Sequence, residues 1–113
     1  MKEKKPNKKI LHLAKKTITE EIEKAGFKVK VIILFGSRAK GNEKKDSDWD
    51  FYVFINKDIE FKTKRKLVGN ITMKLIEKNI PADVLIQSEK VIKERENDPG
   101  YLTYYVLKEG III

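Results

Sequence analysis

Two apolar segments separated by a polar loop constrain the fold of this chain more than any other feature. The first, VKVIILF at 29–35, is continuously apolar apart from one lysine and rich in β-branched residues, and the second is DWDFYVFIN at 48–56. Runs of this type are typical of strands that are covered on both faces. The loop between them begins with a Gly-Ser pair, and the second segment begins with two aspartates one residue apart. The fold must therefore hold acidic side chains beside buried strands.

Helical periodicity surrounds these strands. Asn7 is a predicted N-cap, and apolar side chains then recur at helical spacing until Gly26 (Leu11, Ala14, Ile18, Ile22, Ala25). A second amphipathic helix is predicted from about Glu60 to Asn79, weakened by Gly69. Its apolar side is marked by four residues (Phe61, Val68, Ile71, Leu75). These two helices are the expected cover for one face of a sheet.

The last third of the chain supplies a third strand, two shorter helices and a final apolar segment. ADVLIQS at 82–88 is the predicted strand, and Ser88 is a predicted cap for a helix over 89–97. A helix over 101–110 with Gly110 as C-cap precedes III, which is a predicted edge strand. The whole order indicates one α/β domain of the α+β type over 1–113, with a small mixed sheet flanked by helices. Residues 1–7 are predicted to form a charged, flexible tail.

The charge balance favours anionic partners. Lys and Arg number 25 against 17 Asp and Glu, which gives a formal net charge of +8. Nucleic acid, a nucleotide or an acidic protein surface would suit this excess, although a solvated lysine-rich surface is the preferred explanation of the basicity alone. The absence of cysteine excludes disulfides and thiolate metal sites. No apolar run approaches the roughly 20 residues of a membrane span, so a cytoplasmic protein is expected.

Three aspartates are the candidate metal ligands. Asp48 and Asp50 are two residues apart on a predicted strand, so their side chains point to the same face. Two carboxylates that close do not both stay ionised without a cation. Asp83, between apolar residues on the third strand, offers a third ligand, and Mg²⁺ is the usual ion beside phosphates. Each aspartate alone is better explained as a turn cap or a strand start, but the three together favour a metal site.

The Gly-Ser pair that ends the first strand is a candidate phosphate site. Gly36 allows close approach of the backbone to a ligand, and Ser37 adds a hydroxyl and a possible helical turn. Arg38 supplies a planar guanidinium group suited to phosphate oxygens. Such a dipeptide is usually only a turn. Its significance comes from its position, ten residues before Asp-x-Asp on the next strand.

The segment GSRAKGNEKKDSDWDFYV closely resembles the nucleotidyltransferase signature of the DNA polymerase β superfamily. Arg38, Ala39, Gly41 and the Ser47–Asp48 pair are similar to the minimal, MNT-type members in particular. The resemblance extends to the helix before the first strand, to the acid in ADV and to LKEGIII near the end, so it covers nearly the whole chain. Trp49 departs from the aliphatic residue more usual there, and is expected to face away from the metals and pack.

The resemblance implies a role for each candidate residue. Asp48 and Asp50 would bind two Mg²⁺ ions, for which Mn²⁺ is a possible substitute, and Asp83 would bind the catalytic ion and help to activate a hydroxyl. Gly36 and Ser37 would hold the β- and γ-phosphates of a nucleotide, with assistance from Arg38. The implied reaction is in-line attack of a hydroxyl on the α-phosphate, with pyrophosphate as the leaving group.

The resemblance also implies a partner. Minimal members of the family typically pair with a helical HEPN protein as a toxin–antitoxin system, in which the nucleotidyltransferase is the antitoxin and transfers AMP from ATP to a tyrosine of the toxin. The short sequence leaves no room for an acceptor-binding domain, so the acceptor is expected on another chain. Two alternatives remain: an idle module that neutralises a toxin by contact, and a small basic protein that binds or modifies RNA. Direct binding of nucleic acid is not the favoured interpretation.

Two other features have ordinary interpretations. Three tyrosines recur at helical spacing and are expected to pack, with a partner-binding stripe as the alternative (Tyr101, Tyr104, Tyr105). The basic run KTKRK at 62–66 is expected to form a solvated helix face, or else a surface for RNA or an acidic partner.

Overall fold

The computed structural model describes residues 6–113, in which a four-stranded mixed sheet is flanked by helices. The strands are β1 (Val29–Phe35), β2 (Trp49–Ile55), β3 (Ala82–Ser88) and β4 (Ile111–Ile112). Their order is β3-β2-β1-β4, with β1 antiparallel to both β2 and β4 and with β2 parallel to β3. The α+β fold with a small mixed sheet is therefore confirmed, including the short C-terminal edge strand.

Five helices are present in the described part of the chain: α1 (Lys8–Lys24), α2 (Ser37–Lys40), α3 (Phe61–Glu77), α4 (Glu89–Arg95) and α5 (Leu102–Glu109). Asn7 caps α1 by accepting from the amides of Lys9 and Ile10, and Ser88 caps α4. Residues 1–5 of the predicted N-terminal tail lie outside the described residues. None of the helices within 6–113 has both the length and the apolar composition needed to cross a membrane.

The sheet has an apolar core on each face, as the continuous apolar segments predict. The larger core joins α1 and α3 to alternate residues of β2 (Trp49, Phe51, Val53, Ile55). The smaller core places Tyr52 and Phe54 against Ile92 of α4 and Val106 of α5. Because side chains alternate along a strand, Asp50 projects to the face of the smaller core.

A partly buried ion pair connects the two helices of the larger core. Glu21 of α1 accepts from Lys74 Nζ of α3 at 2.9 Å and from Lys24 Nζ at 3.1 Å. The hydrogen bond from Lys74 lowers the pKa of Glu21, with Lys24 adding to the effect and burial partly opposing it. The Glu21 carboxylate therefore remains charged in the contact between α1 and α3, because Lys74 and Lys24 both donate to it.

Three details differ from the sequence-based expectations. Asp48 immediately precedes β2 instead of beginning it. Phe61, expected on the buried side of α3, is 70% exposed, and Leu67 is buried instead. The interpretation of the tyrosines as packing residues is wrong for Tyr101 and Tyr105, which are 42% and 45% exposed, since α5 is anchored through Thr103 and Val106.

Candidate active site

The register of the sheet brings two of the predicted acids together. In the parallel pairing of β2 with β3, Asp50 lies opposite Asp83, and in the antiparallel pairing of β1 with β2, Phe35 lies opposite Asp50. Residues paired in this way project to the same face of the sheet. Asp48 precedes Asp50 by two residues, and Gly36 follows Phe35. All the residues predicted to contact metal or phosphate therefore lie around one end of three strands.

The acids at this end influence one another electrostatically. Asp50 is partly buried, and burial raises the pKa of its carboxyl group; the charges of Asp83 and then Asp48 raise it further. Asp48 and Asp83 are exposed. None of the three carboxylates accepts a hydrogen bond or forms an ion pair with any group in residues 6–113. Residues 6–113 thus supply no cation that offsets their repulsion.

The donor set fits a hard divalent cation, because it consists of carboxylate oxygens that have no other partner. The three side chains do not, however, form a ligating cluster: within residues 6–113 no group of three His, Cys, Asp or Glu side chains could hold an ion as placed. Asp50 in particular turns its carboxylate towards Gly36. The acids would have to turn towards a shared point in order to ligate one ion together.

The backbone at position 36 requires glycine, and the sequence indicates only part of the reason. Its backbone has φ 74° and ψ −158°, a region that only glycine adopts readily. A Cβ atom at this position would overlap the carboxylate of Asp50. The sequence predicts close approach of a ligand to this backbone, and the structure shows close approach of an acidic side chain. Ser37, which begins α2, has a hydroxyl with no hydrogen bond to residues 6–113.

Arg38 is directed into the loop before β2. Its Nη2 donates to the carbonyl of Ser47 at 2.8 Å, its Nε donates to the same oxygen at 3.2 Å, and its guanidinium lies 4.5 Å from the centre of the Trp49 ring. The Ser47 hydroxyl in turn accepts from the Lys44 amide at 2.8 Å. Arg38 therefore orders the segment that leads into Asp48, and its predicted contact with phosphate stays a prediction.

Trp49 packs in the core and faces away from the acids, as expected. It is 4% exposed, stacks with Phe51 at a ring-centre distance of 6.5 Å, and belongs to the larger core. Since Asp50 projects to the other face, the indole ring does not enter the acidic site. Trp49 contributes to the site only through the strand that it anchors and through Arg38.

Two cavities border the site, and the sequence did not indicate either of them. One, of about 480 Å³, lies between α2 and α5 and is lined by Gly36, Lys40, Tyr105 and Glu109 among others. The other, of about 500 Å³, includes Asp83 and lies along β3. No signal in the sequence identified them, because cavities depend on how helices pack and not on local periodicity.

Comparison with known proteins gives a family match and a structural match. Residues 16–113 match the family model described as "Polymerase beta, Nucleotidyltransferase". No curated protein sequence gives a significant match. A solved structure described as "Crystal structure of the toxin-antitoxin with AMP-PNP" contains a chain that is 16% identical, with a TM-score of 0.53. The match covers 86% of this chain and 69% of that one, and at this identity it shows a shared fold.

Proposed function

Because this chain belongs to the polymerase β nucleotidyltransferase family, we propose that it transfers a nucleoside monophosphate, AMP from ATP, to a hydroxyl group of a partner protein. The observation that carries the proposal is the register of β2 and β3, which places Asp50 opposite Asp83 beside the end of β1. The Gly36–Ser37 pair follows that end directly. Acidic ligands and a phosphate-binding segment would thus act on the same nucleotide.

In this proposal Asp48, Asp50 and Asp83 hold the divalent cation, Mg²⁺ in two copies, with Mn²⁺ as a substitute. Bound there, the ions would neutralise the charge that develops on the phosphate oxygens. The raised pKa of Asp50 agrees with this assignment: burial is its first cause, and the charges of Asp83 and Asp48 add to it. A cation removes that repulsion and allows all three groups to remain ionised.

The other residues bind and orient the substrates. Ser37, whose hydroxyl is available within the described chain, would bind the β- and γ-phosphates together with the backbone at Gly36. The nucleoside would extend towards the cavity between α2 and α5, where Tyr105 offers an exposed ring. The acceptor oxygen bonds to the α-phosphorus, the bond to the bridging oxygen breaks, and pyrophosphate leaves. Asp83, which is exposed, would receive the hydroxyl proton.

The partner in the proposal is a HEPN-type toxin, with this chain as the antitoxin and a toxin tyrosine as the acceptor. The resemblance in the signature segment supports it, and so does the fold shared with a chain from a toxin–antitoxin structure that contains AMP-PNP. The alternative within the same setting is neutralisation by contact alone. The three carboxylates, which have no hydrogen-bond or ion-pair partner within residues 6–113, disfavour that alternative. Burial and then the charges of Asp83 and Asp48 raise the pKa of Asp50, and this repulsion would serve no purpose in an idle module.

Transfer is tested with ATP labelled at the α-phosphate. The native chain is incubated with Mg²⁺, the labelled ATP and the protein encoded by the adjacent gene, and labelled products are separated by size. We expect label on the partner protein, and little product when the partner is omitted. ATP labelled at the γ-phosphate should label neither protein, because that phosphate leaves in pyrophosphate.

The variants Ser37→Ala and Asp83→Asn should remove the label. Asp46→Asn is the matched control, because Asp46 is an exposed acid of the loop before β2 and has no proposed role. A native chain that neutralises its partner without transferring label would establish the contact-only alternative. Efficient labelling of free RNA by the isolated chain would contradict both and make RNA the acceptor.

A further inference from the structure

The outer edge of β3 is open. Within residues 6–113, β3 pairs with β2 alone and stands at the end of the sheet, opposite to the end that β4 closes. It is seven residues long, and no other described strand satisfies the backbone groups along its outer side. An edge of this kind is a template for pairing with another chain unless it is short, twisted or covered.

The edge lies at the bottom of a groove with partly apolar walls. The cavity of about 500 Å³ follows β3, with α3 forming one wall and the start of α5 the other. Phe61 on the first wall is 70% exposed, and Tyr101 and Leu102 on the second are 42% and 48% exposed. Large apolar side chains exposed along one cavity indicate a surface for a protein segment.

The groove is also basic. Lys64 and Arg65 line it from α3, and Arg95 lines it from the end of α4. Neither Lys64 nor Arg65 forms an ion pair within residues 6–113. Arg95 lies 4.6 Å from the centre of the Tyr101 ring. Among the described lining residues the acid is Asp83, near the beginning of β3. A ligand that complements this charge is acidic.

We propose that β3 binds an extended, acidic segment of the acceptor protein by strand addition, which brings an acceptor hydroxyl to Asp83. Main-chain hydrogen bonds would supply affinity, and the two walls would contact alternate side chains. The unpaired strand edge favours a peptide over RNA, which has no repeating amide groups to pair with β3. The transfer to that hydroxyl rests on the proposed function, whereas the docking does not.

Docking is tested without nucleotide or metal. The probe is a fluorescent heptapeptide that alternates glutamate with valine and carries one central tyrosine, and its binding to the native chain is followed by anisotropy. Its control has the same side chains with alternate backbone nitrogens methylated, which removes the donors that strand pairing needs. We expect the methylated peptide to bind at least tenfold more weakly. Hydrogen exchange of the amides of 82–88 should slow only with the unmodified peptide.

Charge specificity is tested on α3. Arg65→Glu should weaken binding of the unmodified peptide at least fivefold, because Arg65 lines the groove. Lys66→Glu makes the same change of charge at the neighbouring exposed residue, which does not line the groove, and should have little effect. Equal weakening by both variants, or equal binding of the methylated peptide, would overturn the proposal. So would a uridine heptamer that displaces the peptide and binds more tightly.

The docking experiment and the transfer experiment can fail independently of each other. Peptide binding with slowed exchange in β3, but without AMP transfer to any acceptor, would retain the docking site and remove the transferase. Transfer to the partner protein without any slowing of exchange in β3 would retain the transferase and remove the docking site.

Discussion

Asp50 and Asp83 lie directly opposite each other in the parallel pairing of β2 and β3, on the face of the sheet away from Trp49. Like charges on neighbouring strands repel each other, and the charge of Asp83 adds to burial in raising the pKa of Asp50. No cationic side chain within residues 6–113 pairs with either of them. The fold thus maintains a repulsion that a bound cation would remove, and this is the physical basis of the proposed metal site.

Asp50→Asn should raise the melting temperature of the metal-free protein at pH 7. Burial and the neighbouring acids raise the pKa of Asp50 in the folded state, so the folded protein holds that proton more tightly than the unfolded chain does. By linkage, the native protein loses stability as the pH rises through the window from the ordinary pKa of 3.8 up to the raised pKa. The loss is fully present above that window and absent below it.

The advantage of Asp50→Asn should therefore shrink as the pH falls towards 3.8, and it is measured by thermal melts in chelator over a series of pH values. Asp46→Asn, in the exposed loop, serves as the control and should show no such gain. A variant that is less stable than the native protein at pH 7 without metal would show that the Asp50 carboxylate stabilises the fold.

Gly36→Ala should destabilise the protein by about 1–3 kcal/mol, because its backbone conformation excludes other residues and the new methyl group overlaps Asp50. Gly26→Ala is the matched control, since Gly26 also has a positive φ, at 90°, but its added methyl group would meet no atom within 4 Å. Urea unfolding of both variants separates backbone strain from the contact. Equal losses would mean that the approach of Asp50 to Gly36 has no energetic effect.

Arg38→Ala should loosen the loop before β2 and lower the free energy of unfolding by about 1–2 kcal/mol, through loss of charged hydrogen bonds to the Ser47 carbonyl and of the contact with Trp49. Hydrogen exchange of residues 44–50 should accelerate. Arg38→Lys should restore little of this protection, because an ammonium group lacks the planar fork. Unchanged exchange in this loop would contradict the positioning role.

Glu21→Gln should lower the melting temperature at neutral pH and have progressively less effect in acid. The pKa of Glu21 is below its usual 4.5, first because of the hydrogen bond from Lys74, so its contribution is present above 4.5 and disappears as the pH falls through the lowered value. Glu23→Gln, an exposed residue of the same helix, is the control. If the melting temperatures of the native protein and Glu21→Gln changed with pH in parallel, the ion pair between α1 and α3 would not contribute to stability.

The strands and most helices could be predicted because their signals are local. Continuous apolar segments identify β1 and β2, and Asn7 and Ser88 identify helix starts through their capping side chains. Strand order is not local, so the sequence placed Asp83 on a neighbouring strand but did not show that its partner is Asp50.

Side-chain partners across the fold were equally inaccessible from the sequence. The position of Arg38 beside the Gly-Ser pair predicts phosphate binding. Its guanidinium instead donates to the Ser47 carbonyl, a contact that forms only when the loop folds back in the native chain. Phe61 fits the apolar period of α3, but it lies in the first turn beyond the reach of the core. Tyr101 and Tyr105 also fit a helical spacing but are exposed, because the short α5 is anchored by Thr103 and Val106 instead.

The most direct test of the central claim uses Mn²⁺ as a paramagnetic probe. Mn²⁺ and AMP-PNP are added to the isotope-labelled protein, and broadening of the amide resonances is mapped along the chain. The account predicts strong broadening at Gly36, Ser37, Asp50 and Asp83, none around Ile22 in α1, and loss of the effect in Asp50→Asn. Broadening centred elsewhere, or an unchanged pattern in Asp50→Asn, would contradict a metal–nucleotide site at the end of β1, β2 and β3.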